Sequence, residues 1–176
     1  MNKGFTIIEL LTAMSIFSIA IVSATSLFIS AMRGQLNATA QQNLIENTRF
    51  VIEQMSRQIR MAQRFDSAVG TCPANIFFSD SGPTIKFIDY KGNCVEYRVS
   101  ANKIQFNPGT GSFTDLTSDD IRVNNLYFLV EGRLPNDVKQ PKVTIYINAD
   151  VPSVLLGGSA DIRLQTTISA RNLDVP

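Results

Sequence analysis

From Leu10 to Met32 the chain carries no charged residue, and across residues 5–32 the only charge is Glu9. A bilayer's hydrocarbon layer, about 30 Å thick, is crossed by about 20 apolar residues in a helix. At about 1.5 Å per residue this run makes about 42 Å of helix, more than enough. Lys3 and Arg33 bracket it. With so few flanking charges the positive-inside rule has little to act on, and the simplest arrangement is a short cytoplasmic tail with the bulk of the chain translocated. Glu9 is the anomaly. An ionised carboxylate in a membrane helix costs about 2.5–3.5 kcal/mol, so it requires a partner.

Three readings of this segment differ in what they do with that carboxylate. A single-pass anchor leaves it unexplained. A secretory signal peptide would use Val22-Ser23-Ala24 as its small-residue cleavage site and release a soluble chain from Thr25. Glu9 then lies at the junction of the basic and apolar regions, and Leu27, Phe28, Ile29 and Met32 continue the apolar character past the cut. The third reading takes the string Gly4-Phe5-Thr6-Ile7-Ile8-Glu9 whole: a short basic leader ending in glycine, then Phe, Thr, a glutamate four residues beyond Phe, and an unbroken apolar helix. This string resembles the processing site of type IV prepilins and type II secretion pseudopilins.

That resemblance implies a membrane-embedded aspartyl peptidase, the prepilin peptidase, that cuts after Gly4 and N-methylates the new terminus at Phe5. Removing residues 1–4 creates a cationic amine at Phe5, and in a staggered stack of helices the amine of one subunit approaches Glu9 of its neighbour. In a low-dielectric surround the pair is strong, and either member alone is costly. Glu9 then acts as a register device for subunit assembly.

Beyond Arg33 the helix is expected to continue to about Phe65. No proline occurs before Pro73, and after Gly34 the next glycine is Gly70. Leu44, Val51/Ile52, Met55, Ile59 and Ala62 recur at helical spacing, opposite Gln41, Glu46, Arg49, Glu53 and Arg57. From Gly70 onward the pattern shifts to period two with turn punctuation. Expected strands are 76–79, 84–90, 94–100, 103–107, 121–131, 143–150 and 160–171, with turns at Lys91-Gly92-Asn93 and Ala101-Asn102 and a loop over 108–120. The fold class is therefore α+β: one long N-terminal helix, its first half spanning the membrane, packed on a C-terminal antiparallel β head. The expected divisions are 1–4 (leader), 5–32 (membrane and filament-core helix), 33–65 (amphipathic continuation) and 66–176 (head).

The likeness reaches further, less specifically. The stretch from Arg49 to Arg60 resembles the juxtamembrane helix of J-type pseudopilins and W-type minor pilins, and Leu164–Asn172 resembles their last strand. Ser18 and Ser26 stand where many major pilins carry glycine and proline. This likeness suggests a low-abundance subunit near a filament tip that helps start assembly.

Composition narrows the chemistry. There are 16 Lys+Arg against 15 Asp+Glu, so no strong field favours nucleic acid, and no direct nucleic-acid binding is expected. The absence of histidine removes the commonest general base and zinc ligand. Cys72 and Cys94 do not form a C-x-x-C pair, and in an exported protein they most simply form one disulfide. Asp119-Asp120 lacks the alternating acidic spacing of a calcium loop, Gly157-Gly158 lacks the rest of a phosphate-binding fingerprint, and Asn37-Ala38-Thr39 matches a glycosylation sequon that is common by chance. No catalytic residue, metal site or cofactor is expected, and the chain reads as structural rather than enzymatic. Expected partners are prepilin peptidase, other pilin or pseudopilin subunits, an inner-membrane assembly platform, and the lipid bilayer before assembly. The expected location is the bacterial cytoplasmic membrane with the head outside the cytoplasm, then a pilus or pseudopilus. The rivals are a membrane-anchored binding domain that never polymerises and a soluble domain released after Ala24.

Overall fold

The structure is a computed structural model that describes residue 4 and residues 6–79, 81–134, 139–153 and 158–171. It comprises one helix, α1 (Ile7–Arg60), and seven strands: β1 (Ile85–Ile88), β2 (Cys94–Ser100), β3 (Lys103–Asn107), β4 (Thr114–Asp115), β5 (Arg122–Glu131), β6 (Lys142–Ser153) and β7 (Gly158–Ser169). The chain divides into two compact units, Met1–Thr39 and Ala40–Pro176.

In the first unit every described side chain up to Leu36 is exposed, including Ile7, Leu11, Phe17, Val22 and Leu27. The helix is long and apolar enough to cross a membrane. Its hydroxyls do not spoil that character, because they bond to carbonyls of the same helix. Ser15 Oγ donates to Leu11 O at 2.9 Å, Ser18 Oγ to Met14 O at 2.8 Å, Ser23 Oγ to Ile19 O at 2.9 Å and Thr25 Oγ1 to Ile21 O at 2.9 Å. A polar group satisfied within its own segment makes no demand on hydrocarbon.

In the second unit the expected stripe is buried: Leu44, Val51, Met55, Ile59 and Ala62, with Thr48 between them. The apolar members of this stripe share one core with Phe78 and with Phe87, Tyr97, Phe128, Val143 and Ile145 from both sheets. Aromatic rings run through it, Phe78 edge-on to Phe87 at 5.7 Å and Tyr97 against Phe106 at 4.8 Å. Tyr97 is fully buried, and its hydroxyl donates to Gln58 Oε1 on α1 at 3.0 Å. Burial pushes the Tyr97 phenol above its ordinary range, with a side-chain hydrogen bond pulling the other way.

The helix ends at Arg60 rather than near Phe65. The last turn tightens through Met61 N to Gln58 O (3.1 Å) and Ala62 N to Ile59 O (3.2 Å), and the Arg60 carbonyl accepts from Arg171 N at 2.7 Å, just past β7. Gln63 N then bonds Ile88 O at 2.9 Å, so the chain leaves the helix by pairing with β1. Tertiary partners for those carbonyls and amides replace the helical ones.

The head contains two antiparallel sheets, in the orders β1-β2-β3-β4 and β5-β6-β7. Val123 N of β5 bonds Asn102 O in the β2–β3 turn at 2.8 Å, and Phe128 of β5 makes a reciprocal pair with Gly82, in the segment before β1, at 2.9 and 2.8 Å. Residues 76–79 do not form the expected strand. Phe78 makes one bridge to Phe87, and the Ser79 hydroxyl accepts Lys86 N at 3.0 Å, taking a donor that a continued ladder would use. The loop over 108–120 contains β4, whose two exposed residues pair with Gln105 and Phe106 and carry no apolar alternation. β6 extends past its expected end to Ser153, and β7 starts at Gly158. Asn172 and Gly157 lie outside the described residues.

Both expected turns are present. At the β1–β2 turn Asp89 Oδ1 accepts Lys91 N and Asn93 N, each at 2.9 Å, and Gly92 takes φ +84°. The β2–β3 turn places Ala101 and Asn102 at φ 49° and 60°, the left-handed pair of a type I′ hairpin. The Cys72–Cys94 disulfide, Cα atoms 5.6 Å apart, ties the connection after α1 to the start of β2. In the second sheet Asp150 is buried at 4 % exposure and accepts from Arg122 Nε at 3.0 Å, Arg122 NH2 at 2.6 Å and Asn124 Nδ2 at 2.8 Å. The Arg122 guanidinium holds the Asp150 carboxyl below its ordinary range against the opposing push of burial, with Asn124 assisting.

Three outcomes are expected. Ala101→Gly should raise stability by about 1 kcal/mol in denaturant unfolding, because it relieves a β-carbon held at positive φ. Replacing both cysteines by serine should cost about 3 kcal/mol, and the unreduced wild-type chain should resist alkylation at Cys72 and Cys94. Because the folded pKa of Asp150 is depressed, its contribution is present above the ordinary carboxylate range and lost as pH falls through the folded value. Asp150→Asn should therefore lower the melting temperature at pH 7, with the gap to wild type closing below about pH 4.

Candidate processing and assembly site

The chemistry that the sequence singles out lies at the start of α1. Helical bonding begins with Leu10 N to Thr6 O at 3.2 Å, and Glu9 N donates to Thr6 Oγ1 at 3.3 Å. Thr6 is thus the N-cap: its carbonyl opens the helical ladder and its hydroxyl satisfies an amide of the first turn that has no helical acceptor. The spacing Thr6-x-x-Glu9 is that of a capping box, in which the glutamate side chain reaches back to the cap residue's amide. Among the described residues only the threonine half of that exchange is made. This role for Thr6 escaped the sequence reading, although the T-x-x-E spacing was the signal for it.

Glu9 therefore sits in the first turn of α1, exposed, and its carboxylate meets no cation among the described residues. The next hydroxyl along the helix, Thr12 Oγ1, donates to the Glu9 carbonyl at 3.0 Å, not to its carboxylate. Helix amides near an N-terminus favour a negative charge, by about 0.3–1 kcal/mol at exposed positions. That gain is smaller than the cost of carrying the carboxylate into hydrocarbon.

Gly4 lies outside the helix and is exposed; nothing stands within 4 Å of where a β-carbon would be. It is also not among the glycines at positive φ. Among the described residues no packing or backbone need explains glycine there. Phe5, expected to carry the new terminus and its methyl group, lies outside the described residues, as does the leader before Gly4.

The remaining candidates resolve into structural roles. Ala24 and Asn37 both fall inside uninterrupted α1. Asp119 belongs to the turn before β5 and hydrogen-bonds Lys103, which also reaches Asp115 at 3.6 Å. Cys72 and Cys94 are bonded to each other.

Among curated proteins and among solved structures, nothing matches the chain. Residues 1–25 match the family described as the prokaryotic N-terminal methylation motif. The match covers the capped helix start, Glu9, whose carboxylate has no partner among the described residues, and most of the apolar run behind them, so the N-terminal segment of this chain carries a prokaryotic N-terminal methylation motif.

Proposed function

We propose that the chain is a structural subunit, a minor pilin or pseudopilin, of a type IV pilus or type II secretion-like filament. It is held in the bacterial cytoplasmic membrane by the first part of α1, with its β head outside the cytoplasm, until it is assembled. The observation that carries this reading is Glu9: in a segment where the hydroxyls of Ser15, Ser18, Ser23 and Thr25 bond within the helix, its carboxylate has no partner among the described residues.

The chemistry follows from residues 4, 5 and 9. A prepilin peptidase adds water across the Gly4–Phe5 amide; the C–N bond breaks, Gly4 leaves as a carboxylate, and Phe5 keeps the nitrogen as an amine. Transfer of a methyl group from a sulfonium donor to that amine, with loss of a proton, leaves a secondary amine that is still cationic at neutral pH. The demand for glycine at position 4, which nothing among the described residues explains, then comes from the peptidase. In the filament the Phe5 amine of one subunit meets Glu9 of the next, and the two unfavourable groups satisfy each other. The likeness of residues 49–60 to J-type and W-type subunits supports a place near the tip and a part in initiating assembly, together with other subunits and an assembly platform.

Intact mass and N-terminal sequencing of the chain from its native membrane test this directly. N-methyl-Phe5 is expected at the terminus. A chain starting at Met1 would leave a plain anchor, and one starting at Thr25 a secreted domain. Gly4→Arg should abolish processing. Glu9→Leu should still insert in the membrane, yet incorporate into filaments at least tenfold less well, about 1.4 kcal/mol of lost pairing; wild-type incorporation would refute the pairing.

A further inference from the structure

We infer that Thr6 is a positioning residue for leader removal: by capping α1 it keeps the carbonyl of Gly4 out of the helix and open to attack. This rests on the processing reading above and adds to it a determinant beyond the glycine, the phenylalanine and the glutamate.

Glu9 N–H bonds to Thr6 Oγ1, while in a regular helix it would bond to the carbonyl four residues back, that of residue 5. The threonine hydroxyl and the residue-5 carbonyl compete for one donor. When the hydroxyl wins, helical bonding starts at the Thr6 carbonyl, as it does here. Gly4 stays exposed and outside the helix, with nothing described within 4 Å of where a β-carbon would stand. When the hydroxyl is missing, a helix start in an apolar medium leaves an amide unsatisfied, which is costly there. The chain recovers by growing the helix backward. Glu9 N–H then takes the residue-5 carbonyl and Ile8 N–H takes the carbonyl of Gly4. That last oxygen belongs to the scissile peptide. Once it accepts a helical hydrogen bond, a peptidase can no longer polarise it and deliver water to its carbon. The cap thus sets the fraction of chains whose cleavage site is accessible, and the apparent cleavage rate scales with that fraction.

The test uses the full-length, uncleaved chain in detergent micelles with a purified prepilin peptidase, following the mass of the product with time. Thr6→Val keeps the shape and removes the acceptor; Thr6→Ser keeps the acceptor. Cleavage of Thr6→Val is expected to slow by about fivefold, the factor that matches a typical N-cap contribution, with Thr6→Ser close to wild type. In the uncleaved Thr6→Val chain the Ile8 amide should become protected from hydrogen exchange, a change that a mere loss of contact with the peptidase would not produce. Wild-type cleavage of Thr6→Val, equal slowing of both variants, or an unprotected Ile8 amide in Thr6→Val would each overturn the inference while the processing reading stands. A wild-type chain that the peptidase leaves intact would overturn both.

Discussion

The architecture of the head depends on the contact made by one stripe of α1. Leu44, Val51, Met55 and Ile59 are each at most 1 % exposed and share a core with residues of both sheets. Fully burying side chains of this kind is worth about 1.5–3 kcal/mol apiece. A three-stranded and a four-stranded sheet joined by a few backbone ties would otherwise each leave an apolar face open. The helix supplies the common surface on which both close, and the Tyr97–Gln58 hydrogen bond satisfies the one phenol buried among those contacts.

The first part of the same helix is long and apolar enough to cross a membrane, and it reaches that character without changing its backbone. Side-chain hydroxyls there turn back onto carbonyls three or four residues earlier, so the stretch containing Ser15, Ser18, Ser23 and Ser26 still presents an apolar cylinder. A carboxylate has no such recourse, since it donates nothing when ionised. This separates Glu9 from its polar neighbours on chemical grounds and leaves its carboxylate without a cation among the described residues.

Much of this was legible in the sequence because it rests on periodicity. The apolar run, the stripe from Leu44 to Ala62, strands β2 and β3 with their limits, and both hairpin turns were all readable from spacing and turn residues. What was not readable depended on contacts between distant segments. The helix stops at Arg60 because Arg171 supplies a donor from beyond β7, and no local residue announces that. β4 is two exposed residues recruited by β3. Residues 76–79 make one bridge and no ladder: Ser79 N still donates to Lys86 O, but the Ser79 hydroxyl, rather than its carbonyl, accepts the return bond from Lys86 N. At the N-terminus, Glu9 drew attention by its charge, whereas Thr6 was uncharged in a run that already contained other hydroxyls, and its capping role emerged only with the hydrogen bond to Glu9 N.

The disulfide has a mechanical side as well. A chain pulled by its helix would first be strained at the connection that leaves Arg60, where the backbone is held by single hydrogen bonds to Arg171 and Ile88. Cys72 lies a short way along that connection, and its bridge to Cys94 shunts tension past the intervening 22-residue separation into β2. An unravelling segment of that length would lengthen the molecule by about 75 Å. With the bridge closed, that slack is withdrawn from the chain, and force passes from the helix exit to the middle of the four-stranded sheet with little room to give.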